Sequence, residues 1–231
     1  MEEDLRLLIR HLGTGPLPGN MRKKEYEMID PVTMNARKPR DDAYGHAMLN
    51  RMNDRHRELY KWGLEHVSLD MAEKVLDIGF GGGQNIHNMR KIAPDAEYWG
   101  IDYSPASYKR AAEVNREAIQ EGKVHLHIGS VEDLPYEKDF FNLVTAFETV
   151  YYWPNFLQCL KNVCAVMQEK GAFLICNEDC TRKGNEAIAD ELNMNFYSAD
   201  ELRELLLAAG FRTVHAYSHG NGRWDCAVGR K

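Results

Sequence analysis

The sequence lacks any paired cysteine motif. Its five cysteines, at 159, 164, 176, 180 and 226, form an odd set with no Cys-x-x-Cys spacing. That pattern excludes a disulfide framework and a cysteine-built zinc site. Cys176 and Cys180 have three residues between them, but no third cysteine follows two residues later, as an iron–sulfur radical site requires. The thiols read as buried and reduced. Long apolar runs are missing as well. The run Leu205–Phe211 reaches seven residues, whereas a membrane span needs about 20. The opening Met-Glu-Glu-Asp carries neither the basic start nor the apolar stretch of a signal peptide. These absences predict a cytoplasmic protein that does not enter a membrane. Basic charge is in short supply: 29 Lys and Arg face 35 Asp and Glu, a net charge of −6. No global field draws phosphate polymers, so nucleic acid is not an expected partner. There is no internal repeat and no low-complexity tract.

What is present is a globular composition. The chain has 231 residues, 44% apolar and 28% charged, enough for one domain with an extension. Leu5, Leu8, Ile9 and Leu12 mark a short amphipathic helix. Gly13–Asn20 is a loop, and residues 21–42 form a solvated linker with the basic clusters Arg22–Lys24 and Arg37–Arg40. A further helix is expected from Asp54, its N-cap, with Leu59, Trp62, His66 and Val67 on one face. From Lys74 the pattern alternates. Strands are expected at Lys74–Gly79, Tyr98–Asp102, Val124–Gly129, Phe141–Phe147 and Ala172–Asn177. Helices are expected from Gln84, at Pro105–Gln120, at Phe156–Met167 and at Ala199–Ala209. Ser198 caps the last of these and Gly210 stops it. Two closing strands, Phe211–Tyr217 and Arg223–Val228, make a hairpin. This alternation predicts an α/β, doubly wound, mostly parallel sheet. Residues 1–72 would be an N-terminal helical lid and 73–231 the main domain.

The informative segment runs from Val75 to Gln84. A buried strand enters Gly79-Phe80-Gly81-Gly82-Gly83 and leaves into a helix, a context that lets a ligand approach the backbone. A dinucleotide fingerprint needs its third glycine where Gln84 stands, so nicotinamide and flavin sites are disfavoured. Asp102 ends the next strand, 19 residues after Gly83. A carboxylate there can accept two ribose hydroxyls, which points to an adenosine-type ligand without a 2′-phosphate. Asp77 either meets an amino group or pins the loop.

Asp77-x-Gly79-x-Gly81-x-Gly83, Gly100-Ile101-Asp102-Tyr103-Ser104 and Gly129-Ser130-Val131-Glu132-Asp133-Leu134-Pro135 stand in order along the chain. With them, the sequence from Lys74 onward resembles the class I S-adenosylmethionine-dependent methyltransferases of the small-molecule type. The resemblance implies a Rossmann-like seven-stranded sheet with its last strand antiparallel. It implies that Asp102 holds ribose, that Tyr103 packs on adenine beside Ser104, and that Ser130, Val131 and Glu132 meet the adenine edge. Ser130 stands where relatives often have Asp, so Glu132 is expected to take the adenine amino group. Phe147 and the residues after it would face the transferable methyl, and S-adenosylhomocysteine would be the product.

Glu148 leaves an apolar strand at that end and is the expected base or orienter, with His56 a second candidate. Tyr151, Tyr152 and Trp153 could surround a sulfonium or a flat acceptor, and Tyr44 and Trp62 could line the lid. The Asn/Asp-Pro-Pro-aromatic sequence of enzymes that methylate amines of nucleic-acid bases is replaced here by Phe147-Glu148-Thr149-Val150. His125-x-His127 lacks a third ligand at metal spacing and reads as structural, so no metal is expected. The leading reading is methyl transfer to a small molecule. RNA or protein methylation through the basic clusters, or a non-catalytic sensor of the same cofactor, are the alternatives. The sequence does not set the oligomeric state, and a homodimer is compatible with it.

Overall fold

Strand β1, Lys74–Ile78, is buried from Val75 onward, as a central strand with helices on both faces must be. The computed structural model describes residues 29–178 and 181–231. Around β1 lie β2 (Glu97–Asp102), β3 (Val124–Ile128), β4 (Phe141–Phe147) and β5 (Met167–Glu178), with β6 (Thr213–Ser218) and β7 (Trp224–Arg230) closing the chain. The seven strands follow the order β3-β2-β1-β4-β5-β7-β6. The first five are mutually parallel, and β7 runs antiparallel to both β5 and β6. The expected doubly wound sheet with an antiparallel last strand is therefore present.

Side chains alternate across it with the period of two that a strand dictates. Val144, Ala146, Phe173 and Ile175 join Leu160, Val163, Leu202 and Leu206 on one face. Leu143, Phe147, Leu174 and Cys176 join Leu59, Ile86, Met89 and Ala111 on the other. Those helical residues belong to α2 (Arg57–Leu64), α3 (Gln84–Ile92), α4 (Pro105–Val114), α6 (Phe156–Val166) and α8 (Ala199–Ala209). Ser198 and Glu201 form a capping box on α8, and Gly210 ends it at φ 109°. Gly100 makes room for the loop above it: a Cβ there would lie 2.6 Å from the Phe80 ring.

Several boundaries differ from expectation. A helix, α1, already runs over Ala43–Arg55, and its N-cap is Asp42, which accepts from Gly45 N at 2.9 Å. Asp54 is no cap; it pairs with Arg57 at the surface. The chain breaks at His56 before α2 begins. The helix expected over Pro105–Gln120 breaks at Asn115, whose Nδ2 turns back to Gly83 O and Ala111 O, and resumes as α5 (Arg116–Gln120). An unexpected helix, α7, covers Glu186–Leu192. The Leu5–Leu12 helix, the Gly13–Asn20 loop, Arg22–Lys24 and Cys180 lie outside the described residues.

Residues 29–42 form a strap over the C-terminal edge of the sheet. Tyr103 donates its hydroxyl to Arg37 O, Ser104 donates to Pro39 O at 2.7 Å, and Lys109 pairs with Asp41. Arg37 Nη1 reaches Leu192 O at 3.1 Å on the far side. Among the described residues no helix is long and apolar enough to cross a membrane.

Candidate active site

Ligands of open parallel sheets bind beyond the C-terminal strand ends, and three adjoining cavities open there. The first lies over β2 and β3 and is lined by Asp102, Tyr103, Ser130, Val131 and Glu132, with Arg37 of the strap above. The second lies over the glycine loop and includes Gly79–Gly82, Asp102, Tyr60, Phe147 and Glu148. The third opens outward between α1 and the 185–196 segment, with Met48, Met52, Ile188, Met194 and Phe196 as its apolar wall. Ala36, Met52, His56, Glu148 and Tyr152 line both the second and the third. Tyr152 borders all three.

The loop conformation follows from its glycines. Gly79, Gly81 and Gly83 have φ of 75°, 51° and 75°, in the left-handed region that side chains resist. A Cβ at Gly79 would lie 2.4 Å from Thr149 Oγ1, whereas a Cβ at Gly81 would meet nothing within 4 Å. Gly81 therefore faces open space while its neighbours are packed. Asp102, 7% exposed, pins this loop: Oδ2 accepts from Gly81 N at 2.9 Å and Oδ1 from Ser104 N at 2.8 Å. Burial raises its carboxyl to about 6 despite these bonds. Each oxygen keeps a lone pair for a further donor.

Asp77 lines none of these three cavities. Its Oδ1 accepts from Thr145 at 2.7 Å and from Asn85 at 3.4 Å, and burial pushes it up to about 7. The structure thus places it beneath the loop. Ser104 caps α4, accepting from Ser107 N at 3.2 Å, and holds the strap; it too lines none of the three. Tyr44 is half exposed on α1, outside them. Trp62 is elsewhere as well. It does contact His66, with ring centroids 5.0 Å apart, but both lie against the β6–β7 hairpin, Trp62 on His219 and Trp224. Trp153 is 5% exposed in the core, parallel to Phe173, with its edge on the first cavity. His125 stacks on Trp99, and His127 contacts Tyr136.

Glu148 has φ 55°, an unusual conformation for a side chain of its size and one that recurs at functional sites. Its amide donates to Cys176 O at 3.0 Å. Its Oε1 accepts from Glu178 N, and its Oε2 accepts from Tyr151 at 3.1 Å and lies 3.4 Å from His56 Nε2. Burial raises Glu148 to about 8, with the neighbouring Glu178 charge adding to the effect. Burial lowers His56 to about 4, so the imidazole is neutral at pH 7.

Glu178, Arg55 and Tyr60 escaped the sequence reading, and Arg37 was read there only as part of a basic cluster. Glu178 ends β5, next to β4, as Asp102 ends β2; a carboxylate closing an apolar strand was the available signal. His56, Glu148 and Glu178 present a nitrogen and two oxygens within 4.8 Å of one another, a spacing a cation could span. Yet Arg55 lies 3.0 and 3.1 Å from Glu178 Oε2, and Arg223 lies 3.1 Å from Oε1. These guanidinium groups already supply the compensating positive charge.

A family described as a methyltransferase domain matches residues 69–212. The chain belongs to the class I S-adenosylmethionine-dependent methyltransferases. An O-methylkolavelool synthase of Herpetosiphon aurantiacus is 24% identical over 66% of this chain and 52% of its own length. The uncharacterized methyltransferase YdaC of Bacillus subtilis is 24% identical over 68% and 81%. Erythromycin 3″-O-methyltransferase of Saccharopolyspora erythraea is 26% identical over 54% and 40%. The chain thus spans about half or less of the two O-methyltransferases. In fold it is similar to the methyltransferase complexed with the Trm112 activator of Haloferax volcanii, with a TM-score of 0.72 at 19% identity over 87% of this chain and 98% of that one.

Proposed function

We propose that the chain binds S-adenosylmethionine along the first two cavities and methylates a hydroxyl of a small, largely apolar molecule held in the third. The observation that carries this reading is the shared wall. His56, Glu148 and Tyr152 face the loop cavity and the outer cavity together, so a donor in one and an acceptor in the other meet at their side chains. The residues fit the cofactor. The space over Gly81 is open, and Asp102 stands between the first and second cavities with lone pairs to spare for two ribose hydroxyls.

The bound sulfonium supplies an already activated methyl carbon, so the protein's work is alignment, exclusion of water and removal of one proton. Held by Asp102 and the glycine loop, the cofactor would supply the methyl carbon and keep the electron pair of its carbon–sulfur bond, and this chain's part is to aim the acceptor hydroxyl at that carbon. Glu148, once ionised, takes the hydroxyl proton. His56 beside it is neutral and offers one hydrogen bond without adding charge. Tyr152 walls the junction, and the strap covers it.

The outer cavity favours an apolar body over a cationic one. Its wall is built of Met48, Met52, Ile188, Met194 and Phe196, and the Glu178 carboxylate is taken up by Arg55 and Arg223 rather than offered to a cationic acceptor. A polymer is less well supported. Arg37 is tied to Leu192, Lys38 lies over the Tyr103 ring and Arg40 pairs with Asp42, so this cluster is spent within the strap. Two of the relatives are named for O-methyl transfer to small molecules.

The test is incubation with S-adenosylmethionine and small-molecule extracts, read by mass spectrometry for gain of one methyl. Products should carry it on oxygen. Turnover should rise with pH through about 8, where Glu148 ionises. Glu148→Gln should lower it about 10²–10⁴-fold and leave S-adenosylhomocysteine affinity nearly unchanged. Methylation confined to nitrogen or sulfur, or native turnover in the variant, would overturn the assignment.

A further inference from the structure

We propose that Glu178 is a positioning residue for this base: held by Arg55, Arg223 and Trp224, its carboxylate fixes His56 against Glu148 and keeps negative charge beside the atom that receives the proton. The inference rests on the reading of Glu148 as base, but its test does not need the acceptor.

The geometry is specific. Glu178 Oε2 lies 3.9 Å from His56 Nε2, on the imidazole nitrogen that also faces Glu148. Its backbone N–H donates to Glu148 Oε1, so one residue grips both members of the pair. Its side chain, 11% exposed, is held by Arg55 from α1, by Arg223 just before β7, and by Trp224 Nε1 at 3.3 Å. The other groups facing the pair are Tyr60 on α2 and Tyr151 and Tyr152 on the turn after β4. Burial pushes all three phenols up, so they stay neutral. Glu178 is therefore the one anion, and Arg55 and Arg223 the named cations, that face this pair among the described residues.

The chemical purpose is basicity. A carboxylate in water is a weak base, and general-base efficiency grows as the proton affinity approaches the working pH. A second carboxylate nearby makes loss of the first proton harder. The proton taken from the acceptor is then held more firmly than an isolated glutamate would hold it. The Glu178 backbone N–H, the Tyr151 hydroxyl and Arg55 act in the opposite sense and moderate the effect, and Glu178→Gln leaves all three in place.

The experiment is a carboxyl-carbon NMR titration of the full chain, ¹³C-labelled at glutamate and free of ligand. In the native protein one glutamate should titrate near pH 8, and that signal should be absent from Glu148→Gln. In Glu178→Gln it should move to lower pH by about one unit, and Glu178→Asp should restore part of the shift. In Arg55→Met it should move upward. Arg55 is more than half exposed, so this second variant tests the idea even if Glu178→Gln fails to fold. A midpoint unmoved in both variants, or shifted in the opposite directions, overturns the positioning role. An unshifted titration leaves the base assignment standing. Native turnover in Glu148→Gln would remove that assignment without altering the titration.

Discussion

Replacing Asp102 with alanine should weaken S-adenosylhomocysteine binding about 30- to 700-fold. Asp102 sits between the first two cavities, where its carboxylate would accept two ribose hydroxyls. Hydrogen bonds to a charged group contribute about 1.5–3 kcal/mol each. The carboxylate already serves Gly81 N and Ser104 N, which dilutes that gain. A combined loss of about 2–4 kcal/mol is a fair expectation, and each 1.4 kcal/mol is about tenfold in affinity. Burial supplies an independent signature. The carboxyl of Asp102 is raised to about 6, and only its ionised form accepts from both hydroxyls. Apparent affinity scales with the competent fraction, so native affinity should fall about tenfold on going from pH 7 to pH 5. Asp102→Asn should bind weakly and lose that dependence. Isothermal titration calorimetry across this pH range measures both effects, with circular dichroism confirming that the variants fold. Native affinity in a folded Asp102→Ala protein, or a flat profile in the wild type, would refute the assignment.

Gly81→Val should reduce cofactor affinity at least about tenfold while leaving the fold largely intact. Its φ of 51° resists a β-branched residue, and its Cβ would enter the open space over the loop; normal binding would show that this loop is not the cradle. The ligand-free protein should also lose stability as pH rises from about 6.5 to 8. Asp77, Asp102 and Glu148 keep their protons above the pH at which an unfolded chain releases them. These three groups make the native state bind more protons than the unfolded state, whereas His56, His66 and His87, lowered by burial, act in the opposite sense below about pH 6.5, so the decline with pH is expected above it. Asp77→Asn should shift the slope of the Tm profile upward between pH 4 and 7, and an unchanged slope would count against the raised value.

The glycine-loop side of the candidate site was legible as a structural feature because its signals are local. A strand, a glycine loop, a helix and a carboxylate closing the next strand occupy one continuous stretch, Val75 to Asp102. The outer cavity was legible at His56, Glu148, Tyr151 and Tyr152, which line it, but its strap and its far wall were not, for the opposite reason. Ser104 holds Pro39 across 65 positions of sequence and Arg37 reaches Leu192 across 155, and no periodicity announces such contacts. The strap read as a solvated linker because its charges pair within the fold. Trp62 was expected in a lid because spacing along a helix tells which residues share a face but not what the face meets. Helix α1 was missed because its buried stripe is thin, limited to Gly45, Met48 and Leu49. Phe80, inside the glycine loop, is accommodated by the space that Gly100 leaves beneath it.

The sheet order gives a reason for the graded behaviour of the acids. Asp102, Asp77, Glu148 and Glu178 stand within one residue of the C-terminal ends of β2, β1, β4 and β5, and these four strands are consecutive neighbours. Parallel strands aim their chain ends the same way, so four carboxyl groups share one edge. Four buried anions in such a row would repel one another at great cost, and each is relieved differently. Asp102 takes two backbone amides, Asp77 takes a hydroxyl and an amide side chain, Glu178 takes guanidinium groups, and Glu148 keeps its own proton. Asp77 and Asp102 are raised less far, to about 7 and about 6, so near pH 8 Glu148 is the one of the four that still holds a proton a turnover can remove and return. Hydrogen bonds from the backbone are fixed by the fold, and the guanidinium groups stay charged at any working pH, but a proton on a carboxyl can leave and return. That difference, more than proximity, is why the base is assigned to the end of β4 and the binding and positioning roles to its neighbours.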